Sequence, residues 1–211
     1  ITPADMKSDR LDVMRDRGIA VALLDREIKG RNQCSVSVDD IHGGQIAIEY
    51  LAGLGHKKIA WVCGPESIPQ VADRGAGVAK AAKVAGSKIE TIRVSLMNAT
   101  NGEEAARKIL ELDVLPTAIF CANDLLALGV MRALLASKVR IPEQVSVLGY
   151  DNIEFAPSAA VPLSSIAQPS YQMGVTAADL LLNECEDGDS HEHQQIRFQP
   201  QLVERASTGK R

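Results

Sequence analysis

The sequence predicts an α/β protein built on parallel sheets, and two patterns along the chain predict it. Short apolar runs rich in Val, Ile and Leu alternate with longer stretches at helical spacing, and this beat continues through most of the 211 residues. The runs lack in/out alternation and are flanked by polar residues, Gly or Pro, as strands covered by helices on both faces require. At 45% hydrophobic and 24% charged, the chain is long enough for one large domain or two lobes with sizeable cores, which excludes disorder and fibrous repeats.

Element by element, strands are expected at Ala20 to Leu24, Ser35 to Val38, Lys58 to Cys63, Thr91 to Ser95, Thr117 to Cys121 and Val145 to Gly149. Helices are expected at Ser8 to Arg17, Gly43 to Leu54 and Gly102 to Leu112. Ile46, Ala47, Tyr50, Leu51 and Leu54 fall on one face of the second, and Gly55 supplies its stop. Asn123 to Ser137 carries an apolar stripe so wide that the helix must be largely buried. After Gly149 the rhythm changes. A Pro-bearing stretch leads to a short strand at Leu163 to Ala167, and a helix follows at Gln172 to Glu184. The run from 186 to 195 reads as a solvated loop before late strands at Ile196 to Phe198 and Gln201 to Glu204. Ile1 to Pro3 looks like the tail of a strand whose beginning lies upstream.

The formal charge of −4 leaves no excess of Lys and Arg to neutralise phosphates, so nucleic-acid contact is expected from another segment and not from this one. No apolar run is long enough to span a membrane, and no secretory leader is visible. Cys34, Cys63, Cys121 and Cys185 lie far apart with no zinc-ligand spacing, and read as reduced thiols in a cytoplasmic protein. His191 and His193 share the late loop, but without a Cys or carboxylate at supporting spacing no metal and no cofactor is expected.

Ligands of open α/β sheets bind beyond the carboxyl ends of the strands, so the polar residues there are the candidates. They are Asp25, Asp39 and Asp40, Asn123 and Asp124, Tyr150, Asp151 and Asn152, and Gln168, with Arg74 supplying positive charge from the segment Val71 to Gly77. Such amide, carboxylate and guanidinium groups suit vicinal hydroxyls or a heterocycle edge. Asn123 can equally be a helix N-cap, and Asp39-Asp40 reads as a capping pair for the helix that follows. His42 and His56 read as structural, and Trp61, in mid-strand, as core. No nucleophile elbow, phosphate loop or strand-end His base is present, so an enzyme is not expected.

Six strings in order carry a resemblance: SVDDIHGGQIAIEYLAGLGHKKIAWVCGP, DRGAG, PTAIFCANDLLALGVMRAL, IPEQVSVLGYDNIEFA, PLSSIAQPSYQMGVTAADLLL and LVERAST. From Leu11 to about Thr208 the chain resembles the effector-binding core of LacI/GalR-type transcriptional regulators. The resemblance implies a two-lobed fold similar to type I periplasmic binding proteins, with parallel sheets flanked by helices. One lobe would contain 1 to 38 and 167 to 197, with an incomplete sheet, and the other 41 to 165 and 199 to 208. It further implies a sugar, sugar phosphate or nucleoside effector between the lobes, a homodimer, and operator DNA bound by an upstream headpiece. Arg74 of R-x-x-G, Asn123 of A-N-D, Asp151 of Y-D-N, Asp25 of L-L-D and Gln168 of I-A-Q-P match the family's ligand positions. A periplasmic sugar receptor of a transport system would share the fold and is the competing expectation.

Overall fold

The computed structural model describes residues 9–28 and 32–211, so the strand tail expected at Ile1 to Pro3 lies outside the described residues. In chain order the elements are α1 (Asp9–Asp16), β1 (Leu23–Leu24), β2 (Ser35–Val38), α2 (Asp40–Gly53), β3 (Lys58–Cys63), α3 (Pro69–Ala85), β4 (Lys88–Arg93), α4 (Ala99–Leu110), β5 (Ala118–Cys121), α5 (Asp124–Ala136), β6 (Ser146–Asp151), β7 (Ser164–Ala167), α6 (Ser170–Asp187), β8 (Gln195–Phe198) and β9 (Gln201–Val203). They form two compact units: a smaller one up to Asp39 together with Pro169–Gln199, and a larger one of Asp40–Gln168 and Pro200–Arg211. No described helix is long and apolar enough to cross a membrane.

The larger unit is a six-stranded sheet in the order β4-β3-β5-β6-β7-β9, parallel throughout except where β9 runs against β7. The strands β3, β5 and β6 are almost wholly buried, which is why their sequences are continuous apolar runs. Trp61 and Phe120 stack at 4.7 Å across β3 and β5 inside this core. His56 is buried and bonds Thr117 Oγ1 and the Gly209 carbonyl, a structural strut that burial holds neutral by lowering its pKa.

Helix α3 was not expected, because Gly75 and Gly77 lower the helix propensity of the segment Val71 to Gly77. The glycines serve packing instead. A Cβ on Gly77 would stand 2.0 Å from the Ile41 carbonyl oxygen, and one on Gly44 would stand 2.1 Å from that of Arg74. Backbone therefore meets backbone where α2 crosses α3, and this close crossing sets the position of Arg74.

The smaller unit pairs β1, β2 and β8 in parallel, with α6 packed on the strands through Met173 and Leu180. The expected strand at Ala20 to Leu24 pairs only over Leu23–Leu24, because its partner β2 starts at Ser35, opposite Leu23. β4 begins at Lys88, earlier than expected, since its register follows β3 from Lys58 onward.

Candidate functional site

At the carboxyl ends of β5, β6 and β7, the larger unit gathers four of the five residues that the sequence singled out: Arg74, Asn123, Asp151 and Gln168. Arg74, 4% exposed, projects from α3. Its Nε donates to Asp40 Oδ1 at 2.8 Å, one terminal nitrogen donates to the Ala122 carbonyl at 2.6 Å, and the other stands 3.8 Å from Asp151 Oδ1. The guanidinium also lies 3.6 Å over the centre of the Tyr150 ring, a cation–π contact in a dry environment. The Tyr150 hydroxyl donates to Asp40 Oδ1 at 2.8 Å, which closes the network. Burial alone would disfavour the charged guanidinium, but Asp40, with Tyr150 and Asp151, outweighs it and keeps the arginine pKa above its ordinary value.

Asp40 is therefore not the helix cap the sequence suggested. It opens α2 with its carboxylate turned inward as the counter-ion of Arg74. Tyr150 is fully buried and supports Arg74 from below, whereas Phe155 is 65% exposed. Sequence reading missed both roles; the signal available was the order of charge around Arg74, with one acidic residue opening α2 and an aromatic beside Asp151.

Asp151 ends β6 with φ +98°, and Asn152 follows at φ +53°. Two successive non-glycine residues in this half of φ space mark a backbone held by its surroundings. Several bonds fix it: Gln168 Nε2 donates to Asp151 Oδ1 at 2.6 Å, Asn152 N donates to Ser165 Oγ, and Arg205 donates to Asn152 Oδ1. The side chain of Asp151 is 31% exposed while that of Arg74 is 5% exposed, so the carboxylate is the group that faces solvent. Arg74 and Gln168 aim it from behind.

Asn123 is the N-cap of α5: its side-chain oxygen accepts from Leu126 N at 2.9 Å and its amide donates to the Met97 carbonyl at 3.1 Å. It adjoins Ala122, whose carbonyl Arg74 holds. Beside it, Asp124 is wholly buried and accepts from Ser165 Oγ and Ile153 N, each at 2.8 Å. Burial pushes its carboxyl up to about 6, with the two hydrogen bonds opposing. Asp25 belongs to the smaller unit, at the carboxyl end of β1, with φ +59° and its backbone N–H donating to the Val36 carbonyl.

The family profile described as a periplasmic binding protein-like domain matches residues 48–208. A LacI family transcriptional regulator from Enterococcus faecalis, solved with bound ribose, superposes with a TM-score of 0.89 at 30% identity, over 99% of this chain and 76% of that one. The chain belongs to the LacI family. The PurR repressor of Pasteurella multocida is 32% identical to this LacI-family core over 211 residues, 99% of the chain and 63% of the repressor. That of Vibrio atlanticus is 37% identical over 168 residues, 78% of the chain and 50% of the repressor. The LacI-family core thus spans about half to two-thirds of the length of these curated relatives.

Proposed function

We propose that this chain is the effector-binding and dimerising core of a transcriptional regulator, and that Asp151 and Gln168, set by Arg74, bind hydroxyl or N–H groups of a small sugar-like or nucleoside-like ligand. The observation that carries the reading is the partly exposed Asp151 carboxylate held by a buried arginine and a glutamine at the strand ends. A charge-supported carboxylate is a strong acceptor for ligand O–H or N–H. The same groups are committed to one another and to backbone acceptors, an arrangement that supports binding over turnover, so the reading is a receptor and not an enzyme. Relatives that are transcriptional repressors support the regulator over a transport receptor. On this reading the full-length protein is cytoplasmic, and its DNA contacts come from a headpiece outside this sequence. Asn123 enters the reading through the resemblance and its place beside Ala122, and Asp25 through the resemblance.

The test is thermal unfolding of the full-length protein against a panel of sugars, sugar phosphates and nucleosides. A ligand that binds only the native state raises the midpoint with its concentration, by about 2.7 kcal/mol of stability at 100 times its Kd. The expected result is a selective shift from one class, abolished in Asp151→Asn and weakened in Gln168→Ala and Asp25→Asn. A shift undiminished in Asp151→Asn, or no shift from any compound, would overturn the assignment.

A further inference from the structure

The smaller unit carries a second constellation, at the opposite end of its sheet from Asp25. Cys34 stands just before β2 and His193 just before β8, and these parallel strands pair from Ser35 opposite Gln195. Cys34 is wholly buried, and its Sγ lies 3.1 Å from His191 Nε2 and 3.6 Å from His193 Nδ1. Glu184, on the last turns of α6, completes a set of four ligand atoms that all lie within 4.8 Å of one another. We propose that Cys34, Glu184, His191 and His193 form a zinc-type divalent metal site.

Three features support this assignment. In tetrahedral zinc coordination, a Zn–S bond of about 2.3 Å and a Zn–N bond of about 2.05 Å place sulfur and nitrogen roughly 3.6 Å apart; the Cys34–His193 separation of 3.6 Å matches this, and the Cys34–His191 separation of 3.1 Å is shorter and would open slightly around an ion. Glu184 Oε2 is buried with no hydrogen-bond partner among the described residues, a carboxylate oxygen that needs a donor or a cation. On the far side of the His191 ring, Nδ1 lies 3.7 Å from Asp187 Oδ2, just beyond hydrogen-bond distance, which leaves Nε2 toward the cysteine and a carboxylate in place to orient the ring once an ion is bound.

The donor set selects the metal class. One thiolate and two imidazoles favour zinc and its neighbours over magnesium or calcium. A thiolate and a carboxylate balance the two positive charges of the ion. Four protein ligands leave no open position, so the site is structural, tying the turn at Gly188–Ser190 and the residues that lead into β8 to the start of β2. A surface hollow of about 350 Å³, lined among others by Asn32, Glu184, Gly188, His191 and His193, gives the ion a way in.

The experiment uses reduced, metal-free full-length protein, titrated with zinc against a chromophoric chelator and, separately, with cobalt(II). Expected are one metal per chain and a thiolate-to-cobalt charge-transfer band. Cys34→Ser and the double variant His191→Gln/His193→Gln should each weaken binding by more than about 100-fold, beyond the loss of an outer-sphere partner, and Asp187→Asn by about 10-fold. Exposed Cys185 is the control, and Cys185→Ser should bind as the parent does. The double histidine variant changes only the loop, so it decides the matter even where Cys34→Ser fails to fold. Stoichiometry far below one, a cobalt spectrum without the thiolate band, or binding that follows Cys185 would overturn the site.

Discussion

The pair Asp40–Arg74 offers a test in which the arithmetic differs sharply between single and double variants. At 2.8 Å and an effective dielectric of about 20, the Coulomb attraction of the two charges is roughly 6 kcal/mol. Asp151 at 3.8 Å contributes about 4 kcal/mol on the same scale, roughly halved by its partial exposure. Asp40→Asn removes the larger attraction and leaves a guanidinium, 4% exposed, to be held by the weaker one. A net loss of about 3 kcal/mol is expected, the magnitude seen when one partner of a buried pair is removed. Arg74→Met strands the Asp40 carboxylate with only the Tyr150 hydroxyl as its remaining donor in this network, at a similar cost. The double variant Asp40→Asn/Arg74→Met buries no charge; methionine refills the space over the Tyr150 ring and asparagine still accepts from its hydroxyl. It should lose less than about 2 kcal/mol, giving a coupling of several kcal/mol. Urea unfolding followed by fluorescence of Trp61, the single tryptophan, which lies in the core of the larger unit, reports that unit alone. Losses that simply add in the double variant would refute the view that desolvation and pairing balance here.

Gly77→Ala should destabilise the larger unit by about 3 kcal/mol, although alanine is the better helix former by about 1 kcal/mol, because its Cβ would drive α3 off the Ile41 carbonyl; unchanged Trp61 unfolding would show that the crossing gives way freely. Asp124, at about 6 in the folded state against about 3.9 unfolded, binds its proton more tightly when folded, so its contribution is greatest below pH 4 and is lost as pH rises toward 6. The difference is about 3 kcal/mol. His56 acts in the opposite sense, its lowered folded pKa costing stability as pH falls, so the comparison is made in a His56→Gln background. There Asp124→Asn should flatten the slope of stability between pH 4 and 6, and an unaltered slope would mean that another group carries it.

Much of the architecture was legible because the signals were local. The strands at Ser35 to Val38 and Lys58 to Cys63 coincide with the observed ones, since short segments carrying Val or Ile between Gly, Pro and polar residues have few other uses. The wide apolar stripe after Asn123 gave α5 almost to the residue, with Asn123 as its cap. What escaped was set by long-range contact. Gly75 and Gly77 argue against a helix in an isolated segment and for one only when α2 is known to cross it. The inward turn of Asp40 depends on Arg74, thirty-four positions away, and on Tyr150, one hundred and ten away.

The meeting of Cys34 with His191 and His193 escaped for the same reason in a sharper form. Spacing rules for metal sites work when ligands lie close along the chain, and His191 and His193 alone do not satisfy them. Cys34 lies 157 positions from His191, and the two meet because β2 and β8 pair in parallel with Ser35 opposite Gln195. Any residue just before one of these strands is placed beside any residue just before the other, so a ligand pair can be assembled from one position on each with no sequence proximity. The same register puts Asp25 and Asp39 at the other end of the strands, which keeps a metal at the amino end chemically separate from the polar groups at the carboxyl end. Zinc should therefore raise the stability of the smaller unit in the parent protein, and leave unchanged the thermal shift that the proposed ligand would produce through Asp151 in the larger unit.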